Sequence, residues 1–169
     1  MSGPGRVLGI DTSLRSTGLG VVEASGNRFR AVEHGTVRAP ASCRLSECLA
    51  RLAKGIGETL ERTHPDAAAV EGVFFCRNLR TAVTLGHARG VALAACAQRG
   101  VPVFEYAPRR VKQAVVGFGG AGKEQIARMV AKMLALPAEP PEDEADALAL
   151  AICHFHSRTV YGALMPEQV

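Results

Sequence analysis

Two short stretches are apolar from end to end and then stop on an acid: Val7-Leu8-Gly9-Ile10-Asp11 and Ala67-Ala68-Ala69-Val70-Glu71. A run with no polar alternation has no face to give to water, so each reads as a buried strand. Strands buried in this way need helices on both faces of their sheet. The remaining chain supplies both kinds of element. Thr17 to Val22 reads as a second strand and Phe29 to Val37 as a third, with Gly26-Asn27 marking the hairpin turn between them. Leu45 to Leu60 carries Leu45, Cys48, Leu49, Leu52, Ile56 and Leu60 at helical spacing, one greasy face on an otherwise polar helix. Pro65-Asp66 then breaks the chain before the strand that ends at Glu71.

Leu79 to Gln98 is alanine-rich and helical, with small residues on several faces that let it pack closely on another helix, including a copy of itself. Val101 to Tyr106 is a further strand, Pro108 to Val116 a short helix, Gly117 to Gly122 a loop, and Lys123 to Leu134 an amphipathic helix. After a linker at Pro137 to Pro141 comes a last strong helix, Asp143 to His156. Strands joined by tight turns are antiparallel, and strands joined through helices are parallel. The expectation is an α/β fold with a mixed five-stranded sheet and helices on both faces.

With 169 residues, 47% of them hydrophobic, the chain suits one domain, with a core at about 6–157 and a short tail at 158–169. No apolar run approaches the roughly 20 residues that cross a bilayer. The N-terminus lacks an export-type apolar segment, so a cytoplasmic location is expected. The five cysteines are odd in number and none has C-x-x-C spacing, which suits reduced thiols better than a disulfide framework or a zinc site.

The net charge of +4 hides a segregation. Arg77 to Lys123 holds eight basic residues and one acid, whereas Glu139 to Asp146 holds five acids and no base. A basic stretch beside an acidic knot suits a polyanion whose phosphate meets bound cations, although an uneven solvated surface would look the same. The acids sharpen the first reading. Asp11 and Glu71 each end a strand, and Asp143 and Asp146 stand at i and i+3 on the first turn of a helix, where they share a face. Singly, each has an ordinary explanation in a turn or in the helix dipole. Brought together, four carboxylates would repel one another unless divalent cations neutralised them. Hard oxygen ligands favour Mg²⁺, with Mn²⁺ as a substitute. A pair of such ions can drive in-line attack on a phosphodiester.

At this point the chain resembles the RuvC family of Holliday-junction resolvases. The matching stretches are Leu8-Gly9-Ile10-Asp11, Val70-Glu71-Gly72-Val73-Phe74, Leu85-Gly86-His87-Ala88-Arg89-Gly90-Val91 and Val103-Phe104-Glu105-Tyr106-Ala107. Val111-Lys112-Gln113-Ala114-Val115-Val116-Gly117 and Ala145-Asp146-Ala147-Leu148-Ala149 complete them, in the family's order and spacing. The resemblance implies a ribonuclease-H-like fold, a homodimer, and paired symmetric nicks across a four-way DNA junction in recombination and repair. It implies that Asp11, Glu71, Asp143 and Asp146 hold two metal ions per subunit. It also implies a junction-contacting aromatic at Phe74, functional lysines at Lys112 and Lys123, and a branch-migration motor as partner. Lys123 would stabilise charge at the reacting phosphate, and Lys112 would bind the backbone. Arg77 and Arg80 are expected to touch the DNA backbone, although solvated arginines would look alike. The family commonly follows its first Asp with Pro-Gly. Here Thr12-Ser13 stands instead, so the geometry of that turn is open. The family also tends to a polar residue where this chain has Gly72.

Other readings compete. Gly117 to Lys123 fits the G-x-x-x-x-G-K pattern of a phosphate-binding loop, but Glu124 stands where Ser or Thr should hold Mg²⁺. A strand–Asp–turn–Thr-Gly opening also occurs in sugar-kinase and actin-like ATPases, which need two such domains. A catalytically silent junction binder would keep the basic stretch and leave the acids idle. Cys153-His154-Phe155-His156 could suggest a metal cluster, but neighbouring helix positions do not converge on one ion, and the histidines read better as helix C-terminal residues favoured by the dipole. His87 reads as a surface or interface residue.

Overall fold

The computed structural model describes residues 5–26, 28–72, 78–160 and 168–169, the side chains of 158–160 excepted. Asn27, Phe74, Cys76 and Arg77 lie outside the described residues. The elements run β1 (Gly5–Asp11), β2 (Ser16–Ser25), β3 (Arg28–Arg38), α1 (Leu45–Thr63), β4 (Ala67–Glu71) and α2 (Leu79–Ala97). They continue with β5 (Val103–Tyr106), α3 (Pro108–Val116), α4 (Lys123–Met133) and α5 (Glu142–Val160). The five strands lie in the order β3-β2-β1-β4-β5. The hairpin-linked pairs β1–β2 and β2–β3 are antiparallel, and the helix-linked pairs β1–β4 and β4–β5 are parallel.

The fold is the mixed α/β sheet expected, with small differences at element ends. The last strand starts two residues late, because Pro102 has no N–H to give to a ladder, although its carbonyl still accepts from Ala68 at 2.8 Å. The last helix runs past His156 to Val160, so His154 and His156 are not at its end. His154 is 1% exposed and its Nδ1 lies 2.8 Å from the Tyr106 hydroxyl. His156 Nδ1 instead donates to the Ala114 carbonyl at 2.9 Å. These histidines are packing residues with separate partners, which corrects the dipole explanation.

The sheet divides two apolar cores. Leu8, Ile10, Val21, Ala68 and Val70 face α1 and α2, where Leu52, Ile56 and Leu60 close against them. Val7, Val22, Ala67 and Ala69 face α5, with α3 and α4 packed outside it. Burying a leucine or isoleucine contributes about 1.5–3 kcal/mol, so the α1 stripe alone makes the first core a strong hold on the sheet.

Candidate active site

A strand's side chains alternate between faces, and this alternation decides where the strand-end acids point. On β1, Val7 faces α5 while Leu8 and Ile10 face α1 and α2. Asp11, one step past Ile10, falls on the α5 side. On β4, Ala67 and Ala69 face α5 while Ala68 and Val70 face away, so Glu71 falls on the α5 side as well. The two strands are parallel neighbours with Ile10 opposite Val70. Asp11 and Glu71 therefore end adjacent strands at one sheet edge and on one face.

The helix that brings the other two acids lies unusually close to the sheet. A Cβ on Gly9 would stand 1.7 Å from the Ala147 carbonyl oxygen, and one on Gly18 would stand 1.9 Å from the Asp143 carbonyl oxygen. A Cβ on Gly20 would meet the Leu148 side chain at 2.8 Å. Any side chain at these positions would lift α5 away, so glycine sets the depth of the helix. The sequence reading did not pick out these glycines. Their signal was glycine recurring on one face of two buried strands, where a close backbone approach is the usual cause.

Electrostatics register the convergence. Burial first, then Asp146, Glu71 and Asp143, push the Asp11 carboxyl from its ordinary 3.8 up to about 7, while Lys123 pulls the other way. Burial raises Asp146 too, with Asp143 adding to the rise and Lys123 and Lys112 opposing it. Burial raises Glu71 as well, with Asp146 adding to the rise and Lys112 and Lys123 opposing it. Among the described residues no three acid, histidine or cysteine side chains stand as a ready-made metal cage. The four acids share an edge and a field without closing into a chelate.

The structure also sorts the acidic knot. Glu139 pairs with Arg128 and Glu142 with Lys123. Glu144 bonds His34 and Thr36 on β3, and the Ser16 hydroxyl donates to Asp143. Asp146 has no hydrogen bond or ion pair among the described residues. Among the described residues no arginine plugs the edge: Arg89 reaches the Glu71 main-chain oxygen, at 2.8 Å, and the Glu105 carboxylate. Hard carboxylate oxygens, mutually repelling and flanked by lysines, fit a divalent cation by the chemistry of the donor set.

The basic stretch is partly used up inside the protein. Arg89 pairs with Glu105, Arg99 with Glu61, and Arg110 bonds Ser157 and lies over the Tyr106 ring. Among the described residues, Lys112 on α3 and Lys123 at the start of α4 bring positive charge to bear on Glu71 and Asp146. Arg80 is exposed on the first turn of α2, with no side-chain link to the acids among the described residues. Between the two lysines, Phe118 of the glycine loop is 52% exposed. The loop follows α3 and not a strand, so it lacks the setting of a phosphate-binding loop. The Thr12-Ser13 turn is held by Thr17, which is 1% exposed and whose hydroxyl accepts from the Ser13 N–H at 3.1 Å. A buried threonine thus braces the turn in place of a proline.

Residues 7–154 match the family described as crossover junction endodeoxyribonuclease RuvC. A protein of that name from Pelotomaculum thermopropionicum is 51% identical over 154 residues, covering 90% of this chain and 94% of its own length. Another from Halorhodospira halophila is 49% identical, covering 91% and 92%. Among solved structures, Thermus thermophilus RuvC in complex with Holliday junction substrate superposes with a TM-score of 0.87 at 38% identity, covering 96% of this chain and 99% of that one.

Proposed function

The chain belongs to the RuvC family of crossover junction endodeoxyribonucleases, and from that premise we propose that it resolves Holliday junctions by cutting DNA phosphodiester bonds with Asp11, Glu71, Asp143 and Asp146 as its metal-holding acids. The observation that carries the site is the Asp11 carboxyl, pushed up to about 7 by burial and by the other three acids. Acids from β1, β4 and α5 create a concentrated negative field that a bound cation or a proton relieves. Two Mg²⁺ ions per subunit, or Mn²⁺ in their place, would neutralise that field and supply an activated water and a stabilised leaving oxygen.

The chain's own side chains do the rest. Lys112 and Lys123 bind the phosphates next to the acids, and Lys123 holds charge at the reacting phosphate. Lys123 and Glu142 are 67% and 53% exposed in their ion pair. Such a pair is worth no more than about 1 kcal/mol, so the ammonium can exchange Glu142 for phosphate. Phe74 is assigned to the junction bases, and Arg77 and Arg80 to the backbone.

We place the working unit as a homodimer, one site per subunit, whose two-fold axis suits symmetric nicks on strands of like polarity. The support is α2, where Leu79 is 81% and Val83 50% exposed and added Cβ atoms on Gly86 and Gly90 would meet nothing. An exposed face of apolar and small residues suits a second copy. One domain suffices for the subunit, and a branch-migration motor is assigned as partner. No described helix is long and apolar enough to cross a membrane, and the described cysteines are free thiols. A cytoplasmic setting agrees with both.

Cleavage of a mobile four-way junction, with and without Mg²⁺ and with Asp143→Asn as control, tests the reading. Metal-dependent paired nicks that the substitution removes are the expected result. Junction binding with no nicking at any metal concentration would return the chain to a silent binding module.

A further inference from the structure

Asp146 on α5 has no hydrogen bond or ion pair among the described residues, whereas Glu144 on the same helix is gripped by β3. Pairing across the sheet sets the geometry. Asp11 lies opposite Gly18, and Gly18 lies opposite Thr36. Gly9 lies opposite Gly20, and Gly20 lies opposite His34. Residues paired across a sheet project from the same face. Thr36, Gly18 and Asp11 therefore form one row under the first turn of α5, with His34, Gly20 and Gly9 as the next row. The glycines form the floor, and the side chains that rise are Asp11 on β1 and Thr36 with His34 on β3.

Helix geometry places the partners above them. Successive residues turn by about 100°, so positions two apart stand roughly 200° apart around the axis. Glu144 and Asp146 thus leave α5 on opposite flanks, Glu144 over β3 and Asp146 toward β1. Glu144 is fully engaged there. Its Oε2 accepts from His34 Nδ1 at 2.6 Å and its Oε1 accepts from Thr36 Oγ1 at 3.2 Å. Its side chain is only 14% exposed, against 32% for His34. Beneath its first two turns α5 rests on Gly18, Gly20 and Gly9, so no strand side chain limits its roll there, although elsewhere it packs with Val7 and Val22 and with α3 and α4. At a radius of about 5–6 Å, a roll of roughly 20° would carry a carboxylate on the far flank by about 2 Å. Productive geometry tolerates only about 0.5 Å.

We propose that His34 and Thr36 are positioning residues for strand cleavage: by gripping Glu144 on one flank of α5, they fix the roll of the helix and so the place of Asp146 beside Asp11 on the other. This rests on the reading of the four acids as the metal site. Glu144 itself holds no cation. It is the one member of the acidic knot whose two oxygens are both committed to β3.

The test uses the full-length protein with His34→Ala, Thr36→Val and His34→Asn. Asparagine puts an amide N–H close to where Nδ1 stood, so it restores the donor without the ring. Three quantities are read: Mn²⁺ binding to the DNA-free protein by titration calorimetry, single-turnover cleavage of a saturating junction across a Mg²⁺ series, and the metal-free melting midpoint. His34→Ala and Thr36→Val are expected to weaken Mn²⁺ binding and slow cleavage by about 10–100-fold, the usual cost of losing an outer-shell partner. Junction affinity should hold, and His34→Asn should recover most of both losses. The proposal is overturned if both variants bind Mn²⁺ and cleave within twofold of the unaltered chain. It is equally overturned if their losses follow the melting midpoint and His34→Asn recovers nothing. Failure of the underlying metal-site reading looks different, because the unaltered chain would then neither bind Mn²⁺ nor nick the junction.

Discussion

The two faces of the sheet are built on opposite plans. Toward α1 and α2 the strands present Leu8, Ile10, Leu19 and Val21, and the helices answer with Leu52 and Ile56. Toward α5 the same strands present Val7 and Val22 but also Gly9, Gly18 and Gly20, where the helix comes down with its own backbone and with Leu148. A face filled by side chains stabilises the fold and adapts when one of them changes. A face closed backbone to backbone fixes a position, and no substitution larger than hydrogen leaves it undisturbed. The acids stand on the second face, which suggests that the chain separates holding the sheet together from placing the chemistry.

The largest effect should come from the charges that the glycine face places. Asp146→Asn or Asp11→Asn should lower junction cleavage by more than about a hundredfold, since even outer-shell partners of a metal cost 10–100-fold. Binding to the junction, measured by gel shift in Ca²⁺ or without metal, should remain. Lost binding with unchanged chemistry on the DNA still bound would break the assignment.

The contrast between faces is sharpened by pairing Gly18→Ala with Leu52→Ala. The alanine at 18 would put a carbon 1.9 Å from the Asp143 carbonyl oxygen, so α5 must lift. Cleavage by the folded, junction-bound protein should fall by more than about tenfold, as misplacements near 1 Å do. Leu52 is 2% exposed, and its truncation should cost about 2–5 kcal/mol in denaturant melts. Its effect on the rate per folded molecule should stay within twofold. Equal behaviour of the two variants in both assays would erase the distinction.

These cases also mark what was legible in advance. Apolar runs ending on Asp11 and Glu71 betray buried strands, and period-two alternation then fixes which way the acids point. The i, i+3 spacing of Asp143 and Asp146 likewise survives into three dimensions. The height of α5 above the sheet was hidden, because a glycine reports what it lacks only when the approaching backbone is known. The division of labour among Glu139, Glu142, Asp143, Glu144 and Asp146 was hidden as well. Their partners, Arg128, Lys123, Ser16, and His34 with Thr36, come from elements that no local pattern links to α5. The basic stretch was only partly legible for the same reason. Arg89, Arg99 and Arg110 look like DNA-facing charge until Glu105, Glu61 and Ser157 claim them.

Stability against pH gives a smaller signal of the same asymmetry. The Asp11 carboxyl is raised from 3.8 to about 7 in the fold, so the native state holds a proton that the unfolded chain releases. Stability is then whole below about pH 4 and declines as pH rises toward 7. Asp11→Asn removes the titration. In chelator-treated protein the variant should match the unaltered chain near pH 4 and exceed it above pH 7 by about 2–4 kcal/mol. An apolar-face substitution such as Leu52→Ala should shift stability by the same amount at every pH. A gain for Asp11→Asn that did not grow with pH would mean that burial and the neighbouring acids do not hold a proton on Asp11 in the fold.

The smallest expected effect compares two lysines. Lys112 lies on α3, and its charge lowers the pKa of Glu71 and Asp146. Lys54 lies on α1 behind the other core, 77% exposed and 3.8 Å from Glu58. If DNA is read only from the α5 side, Lys112→Ala removes one phosphate contact. The slope of log affinity against log salt should then flatten by about 0.9. Lys54→Ala should leave that slope unchanged, because a charge on the far side of the sheet releases no counterion when the junction docks. The measurement is a salt titration of junction binding without divalent cation, so that cleavage does not intrude. Equal slopes for the two variants would mean either that Lys112 does not reach the backbone or that the junction wraps far enough to touch α1. Arg51, exposed on the same helix as Lys54, separates these outcomes, since only a wrapped junction would make Arg51→Ala flatten the slope.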